Sequence, residues 1–134
     1  MTRSVDDRTM RETLGFEVAD VFRSHLDCAD IAELEQLAGR IDSYLAELEH
    51  AAAGRQVNVD LARRIAGRCR QLLDGCDRTD GQQLRLVVAA VRYFLDPDDI
   101  DSDDQSPAGL DDDALVLNAV IRWTGLPVPE VDPG

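Results

Sequence analysis

The sequence predicts an all-α fold, a compact bundle of about five helices in which the last two form a hairpin around an acidic loop. Three observations carry this. Apolar residues recur every three or four positions through most of the chain, and no segment alternates at period two. The apolar set is mainly Leu, Val, Ile and Ala, with Phe16, Phe22, Phe94, Tyr44, Tyr93 and Trp123 as the aromatics, which suits helices better than a sandwich. The connections between periodic segments are short, apart from one aspartate-rich stretch. With 134 residues the chain makes one domain, large enough to bury a core without disulfides or metal. The boundaries read as 1–125 for the helical domain and 126–134 for an extended Pro-rich tail.

The first helix is expected from Asp6 to about His25, with Met10, Leu14, Val18, Val21 and Phe22 on its apolar face and Gly15 interrupting the pattern. The second runs from about Asp30 to Ala53. Asp30 and Glu33 are spaced as a capping box, and Leu34, Leu37, Ile41, Tyr44, Leu45 and Leu48 form one stripe before Gly54. Asn58 can cap a third helix from Val59 to about Leu73, with Leu61, Ile65, Cys69, Leu72 and Cys76 facing inward and Gly75 ending it. Thr79 and Gln82 are spaced as a second capping box, opening a fourth helix from Asp80 to Leu95. That helix is apolar on most sides, which places it at the centre of a bundle. Pro97 forces its end, because the residue before a proline avoids helical angles. A fifth helix is expected from Asp111 to Trp123, closed by Gly125 and Pro127.

The net charge of −13 is unevenly spread. Residues 1–54 carry five Arg against twelve acids, residues 55–95 eight Arg against four, and residues 96–134 one Arg against eleven. So negative a surface argues against nucleic acid and anionic membrane as partners and favours a basic protein surface or a cation. All fourteen basic residues are arginine. Codon bias, adaptation to high salt and escape from lysine-directed modification each fit that, and the sequence does not separate them. Cys28, Cys69 and Cys76 are an odd set without paired spacing, which reads as apolar packing in a reducing compartment. With no apolar run near the start and none approaching the ~20 residues that span a bilayer, the cytoplasm is the expected location.

Nine of the eighteen residues from Asp96 to Asp113 are aspartates and none is basic. Within and before this stretch stand Tyr93, Pro97, Asp99, Ile100, Asp103, Gly109, Asp112 and Asp113. An aromatic, a Pro-x-Asp, an aspartate four residues on, then a glycine and an Asp-Asp pair opening an apolar helix resembles the YkvA-like family, a bacterial domain of unknown function. The resemblance covers about residues 84–120 and implies a helical hairpin with Tyr93, Pro97, Asp99, Asp103, Gly109, Asp112 and Asp113 as its acidic-loop motif. It implies no particular reaction. The chain departs from the family at Ser102, where a proline is usual, and at Asp101, where an apolar residue is usual.

Three readings of the loop stand side by side. In the plainest, Asp111, Asp112 and Asp113 cap the fifth helix and favour its positive end, Asp96 and Asp99 suit a turn at Pro97, and the remainder is solvated. In the second, Asp99, Asp101, Asp103, Asp104 and Asp112 supply hard oxygen ligands of the kind calcium or magnesium prefers, though not at EF-hand spacing. Two aspartates ~6 Å apart repel by roughly 0.7 kcal/mol in water, and a divalent ion removes several such pairs together. In the third, arginines of the basic middle clamp the loop, with Arg92, one turn before it, as the leading clamp residue.

Other chemistry is thin. His25 and His50 sit near predicted helix ends, where the negative pole suits them, and neither pairs with a nucleophile in a motif. Phosphate loops, zinc-ligand spacings and nucleophile elbows are missing from the sequence. The sequence therefore reads as a small soluble interaction or scaffolding domain rather than an enzyme, with no cofactor required. A divalent-cation-binding regulatory domain and an acidic inhibitor or antitoxin of a basic partner are the alternatives.

Overall fold

A computed structural model describes residues 5–26, 31–51, 59–77, 79–95 and 109–131. Among these the chain forms six α-helices and no strand: α1 (Asp7–Leu14), α2 (Phe16–Ser24), α3 (Ile31–Ala51), α4 (Val59–Gly75), α5 (Gly81–Leu95) and α6 (Gly109–Thr124).

The single first helix expected from the periodicity is two. Asp6 caps α1 by accepting from the Thr9 N–H at 2.8 Å. At Gly15 the backbone takes φ +83°, a left-handed angle open to glycine at little cost. The Gly15 N–H closes α1 on the Arg11 carbonyl at 2.9 Å, and the Gly15 carbonyl starts α2 by accepting from Ala19 at 3.0 Å. The apolar spacing carries through the break, so Met10, Leu14, Val18, Ala19 and Phe22 are all buried in one core. Periodicity alone therefore could not show the bend.

Helices α3 and α4 run antiparallel, and their polar edges set the register. Arg63 near the start of α4 reaches Glu49 near the end of α3 at 3.2 Å, and Arg70 reaches Asp42 at 2.6 Å. These pairs are about half exposed and fix alignment more than they stabilise. Stability comes from the facing apolar stripes, in which Leu37, Ile41, Leu61, Ile65, Cys69 and Leu72 are buried. The expected caps Asp30 and Asn58 lie outside the described residues.

The turn into α5 corrects the second capping box by one residue. Asp80, not Thr79, is the capping side chain, accepting from the Gln83 N–H at 3.1 Å. Thr79 instead gives both its N–H (2.9 Å) and its hydroxyl (2.6 Å) to Asp77. Gln83 reaches back to accept from the Asp77 N–H, so the turn is tied from both sides. Eleven of the fifteen residues of α5 are buried, and the helix packs against α2, α3, α4 and α6. This is the central helix that its all-round apolar pattern predicts. Burying each of its large apolar side chains is worth about 1.5–3 kcal/mol.

Helix α6 packs on α5 and α4 and also touches α1 and α2, where Trp123 meets Phe22 with ring centroids 6.1 Å apart. It begins at Gly109, two residues earlier than expected. Gly125 at φ +70° ends it, its N–H bonding the Ile121 carbonyl at 3.1 Å. The following segment then folds back along α6. Among the described residues no helix is long and apolar enough to cross a membrane.

Candidate functional site

The candidate site is centred on the last turn of α5, which in sequence immediately precedes residues 96–108. Arg92, in the last turn of α5, ties three elements there. Its Nε and Nη2 donate to the two carboxylate oxygens of Glu33 on α3, at 2.8 and 2.5 Å, and its Nη1 donates to the His25 carbonyl at the end of α2, at 2.8 Å. Both side chains are largely sheltered, at 19% and 25% exposure, so this two-point bridge is screened far less than the pairs on α3 and α4. Arg85, two turns earlier on α5, donates to the neighbouring Leu26 carbonyl at 3.3 Å. The carbonyls of His25 and Leu26, the two residues that follow α2, are thus met by guanidinium groups of α5.

The next residue repeats the tie in apolar form. Tyr93 is fully buried and meets the His25 ring edge-on, with centroids 6.3 Å apart. Phe94 meets Tyr44 of α3 in the same manner at 5.2 Å. Three successive residues of α5 therefore fasten α2 and α3 just before the aspartate-rich stretch. Two open grooves of about 240 and 210 Å³ follow α3 and share Arg40 on their walls, and Leu95 lines the smaller.

The two carboxylates Asp112 and Asp113 of α6 are not equivalent. Asp112 is half-buried, whereas Asp113 is 2% exposed within the first turns of α6. Its charge reaches the Cys69 thiol on α4, which is fully buried. Burial first, and the Asp113 charge second, push that thiol far above its ordinary value of 9.0. Cys69 is accordingly a packing residue, as its sequence position suggested.

The motif residues divide accordingly. Arg92 and Tyr93 of α5 and Asp112 and Asp113 of α6 are among the described residues, and Gly109 is the first residue of α6. Pro97, Asp99, Asp101, Asp103 and Asp104 lie outside the described residues, and with them every expected ion ligand and clamp partner of Arg92 except Asp112. No group of three acidic, histidine or cysteine side chains placed to hold a metal occurs among the described residues. Sequence reasoning singled out Arg92 as a clamp. It did not find Glu33 as a partner, because the two are 59 positions apart and Glu33 already had a role as a capping residue.

No family model matches the chain, and neither a curated protein nor a solved structure matches it.

Proposed function

We propose that this chain is a small soluble, cytoplasmic interaction domain that presents the aspartates of residues 96–112 to a basic protein surface. In this reading α5 and α6 form the helical hairpin of a YkvA-like domain, and the aspartates occupy its tip.

The observation that supports it is where the arginines are spent. Arg63 pairs with Glu49 and Asp60, Arg70 with Asp42, and Arg92 with Glu33. Each of these carboxylates belongs to a helix earlier in the chain than the aspartate-rich stretch. Three arginines of the basic middle thus meet carboxylates of α3 and α4, while residues 96–113 bring nine aspartates and no base of their own. Close carboxylates repel one another, and a surface bearing several arginines or lysines relieves that repulsion while releasing ordered counterions. Anchoring α5 through Arg92, Tyr93 and Phe94 holds the base of the stretch, so less freedom is lost when a partner binds.

The test is affinity capture from the native lysate with two baits, the wild-type chain and D99N/D101N/D103N/D104N. The expected result is a basic protein retained at stoichiometric level by the wild type, released by raised salt and absent from the variant. Equal retention by both baits, or recovery of no basic protein, overturns the reading.

A further inference from the structure

The segment after α6 lies in a seat that reads main chain rather than side chain. Asn118 of α6 donates through Nδ2 to the Val131 carbonyl at 2.9 Å and accepts through Oδ1 from the Val131 N–H at 2.7 Å. One amide side chain therefore meets both backbone groups of one residue, as a neighbouring β-strand would. One turn further along α6, Arg122 pairs with Glu130 at 3.1 Å, so the segment runs antiparallel to the helix. Val131 is 4% exposed, and Leu126 and Val128 pack partly buried against the core. In the other direction the same face of α6 continues to Leu115, which is 36% exposed.

The arm that fills this seat is joined to α6 through Gly125, at φ +70°. Pro127 and Pro129 keep it extended and remove two N–H donors, and its Val128 N–H closes a tight turn on the Leu126 carbonyl at 2.8 Å. Its attachment is thus one backbone clasp, one buried valine, the partly buried Leu126 and Val128, and one exposed ion pair. A glycine joint adopts other angles at little cost. If it swings out, the same contacts re-form on another copy with no new surface required, and two arms exchanged in this way close as a twofold pair.

We propose that the Asn118 seat on α6 is a docking site for residues 126–131 of a second copy of this chain, giving a reciprocal arm-exchanged dimer. Within one chain the joined arm competes at an effective concentration on the order of millimolar, so the closed monomer dominates in dilute solution. Removing that competition exposes the exchange.

Two full-length variants do so. N118A/R122E has an intact arm and a disabled seat, and V131D has an intact seat and a disabled arm. Light scattering at roughly 0.3 mM, within the range where linked binding elements compete, should find each variant monomeric alone and a 1:1 heterodimer on mixing. Mixtures that stay monomeric, or self-association of either variant alone, overturn the proposal. Should a variant fail to fold, wild-type chains decide the matter. Labelled and unlabelled copies are mixed at roughly millimolar concentration, and the expected signal is an intermolecular contact between Val131 and Asn118. Its absence also overturns the proposal. No residue is shared with the aspartate-rich stretch, so this outcome leaves the basic-partner reading untouched.

Discussion

Replacing Arg92 by alanine removes three donors from the end of α5 and leaves the Glu33 carboxylate, 25% exposed, without its guanidinium. An exposed ion pair is worth about 0–1 kcal/mol, whereas breaking a buried one costs about 3–5 kcal/mol. The sheltering of Arg92 and Glu33 lies between these limits. Adding one bond to the His25 carbonyl, worth about 1 kcal/mol, the expected loss is about 2–3 kcal/mol. In a domain of this size that lowers Tm by roughly 8–12 °C. Urea unfolding followed by circular dichroism measures it, and E33Q with the R92A/E33Q double variant completes a cycle. The double variant should lose little beyond R92A alone, because both changes remove the same bridge. A loss below about 0.5 kcal/mol for R92A, the range of an ordinary surface substitution, or full additivity in the cycle, refutes the bridge as a fastening of α2 and α3.

Further predictions concern the helices, the caps and the thiols. Gly39 and Gly67 stand inside helices with nothing within 4 Å of an added Cβ, so G39A and G67A should each raise stability by about 0.5–1 kcal/mol. G15A places a side chain at φ +83° and should cost about 1–2 kcal/mol, read in the same urea titrations. Asp6 is held below its ordinary 3.8 chiefly by the Thr9 N–H, and Asp77 below the same value chiefly by the Thr79 hydroxyl. Both therefore favour the folded state as carboxylates. Their contribution is present above about pH 4 and fades as pH falls through the depressed folded values. Stability should fall less steeply with acid in D6N/D77N, and an unchanged slope contradicts this. With Cys28 and Cys76 replaced by serine, Cys69 should resist a thiol reagent at about pH 8 until the protein unfolds. Prompt labelling in the native state would show that its burial is wrong.

What was legible in the sequence was whatever depends on short-range pattern. The central place of α5 follows from an apolar run with no polar face, and Leu61, Ile65, Cys69 and Leu72 follow from spacing of three and four. The break at Gly15 was not legible, since apolar spacing continues across it and only the left-handed angle of that one residue distinguishes a bend from a straight helix. The shift of the cap from Thr79 to Asp80 turned on which of two neighbouring side chains accepts from the Gln83 N–H, and Thr79 is turned toward Asp77 instead. Partners far apart in sequence were hidden for another reason. Arg92 with Glu33 and Asn118 with Val131 meet only once the helices are packed, and no local pattern encodes that meeting. The polar character of Asn118 inside a mostly apolar helix was a signal that could have marked it.

The aspartates of residues 96–112 as the partner-facing surface can be tested most directly by residue-resolved titration. The uniformly labelled chain is titrated with a defined arginine-rich peptide while amide shifts are followed at low and at near-physiological salt. Shifts concentrated in residues 96–113, weakening as salt rises and lost in D99N/D101N/D103N/D104N, are the predicted result. Shifts spread over the acidic faces of α1 to α3, or unaltered by the substitutions, would contradict it.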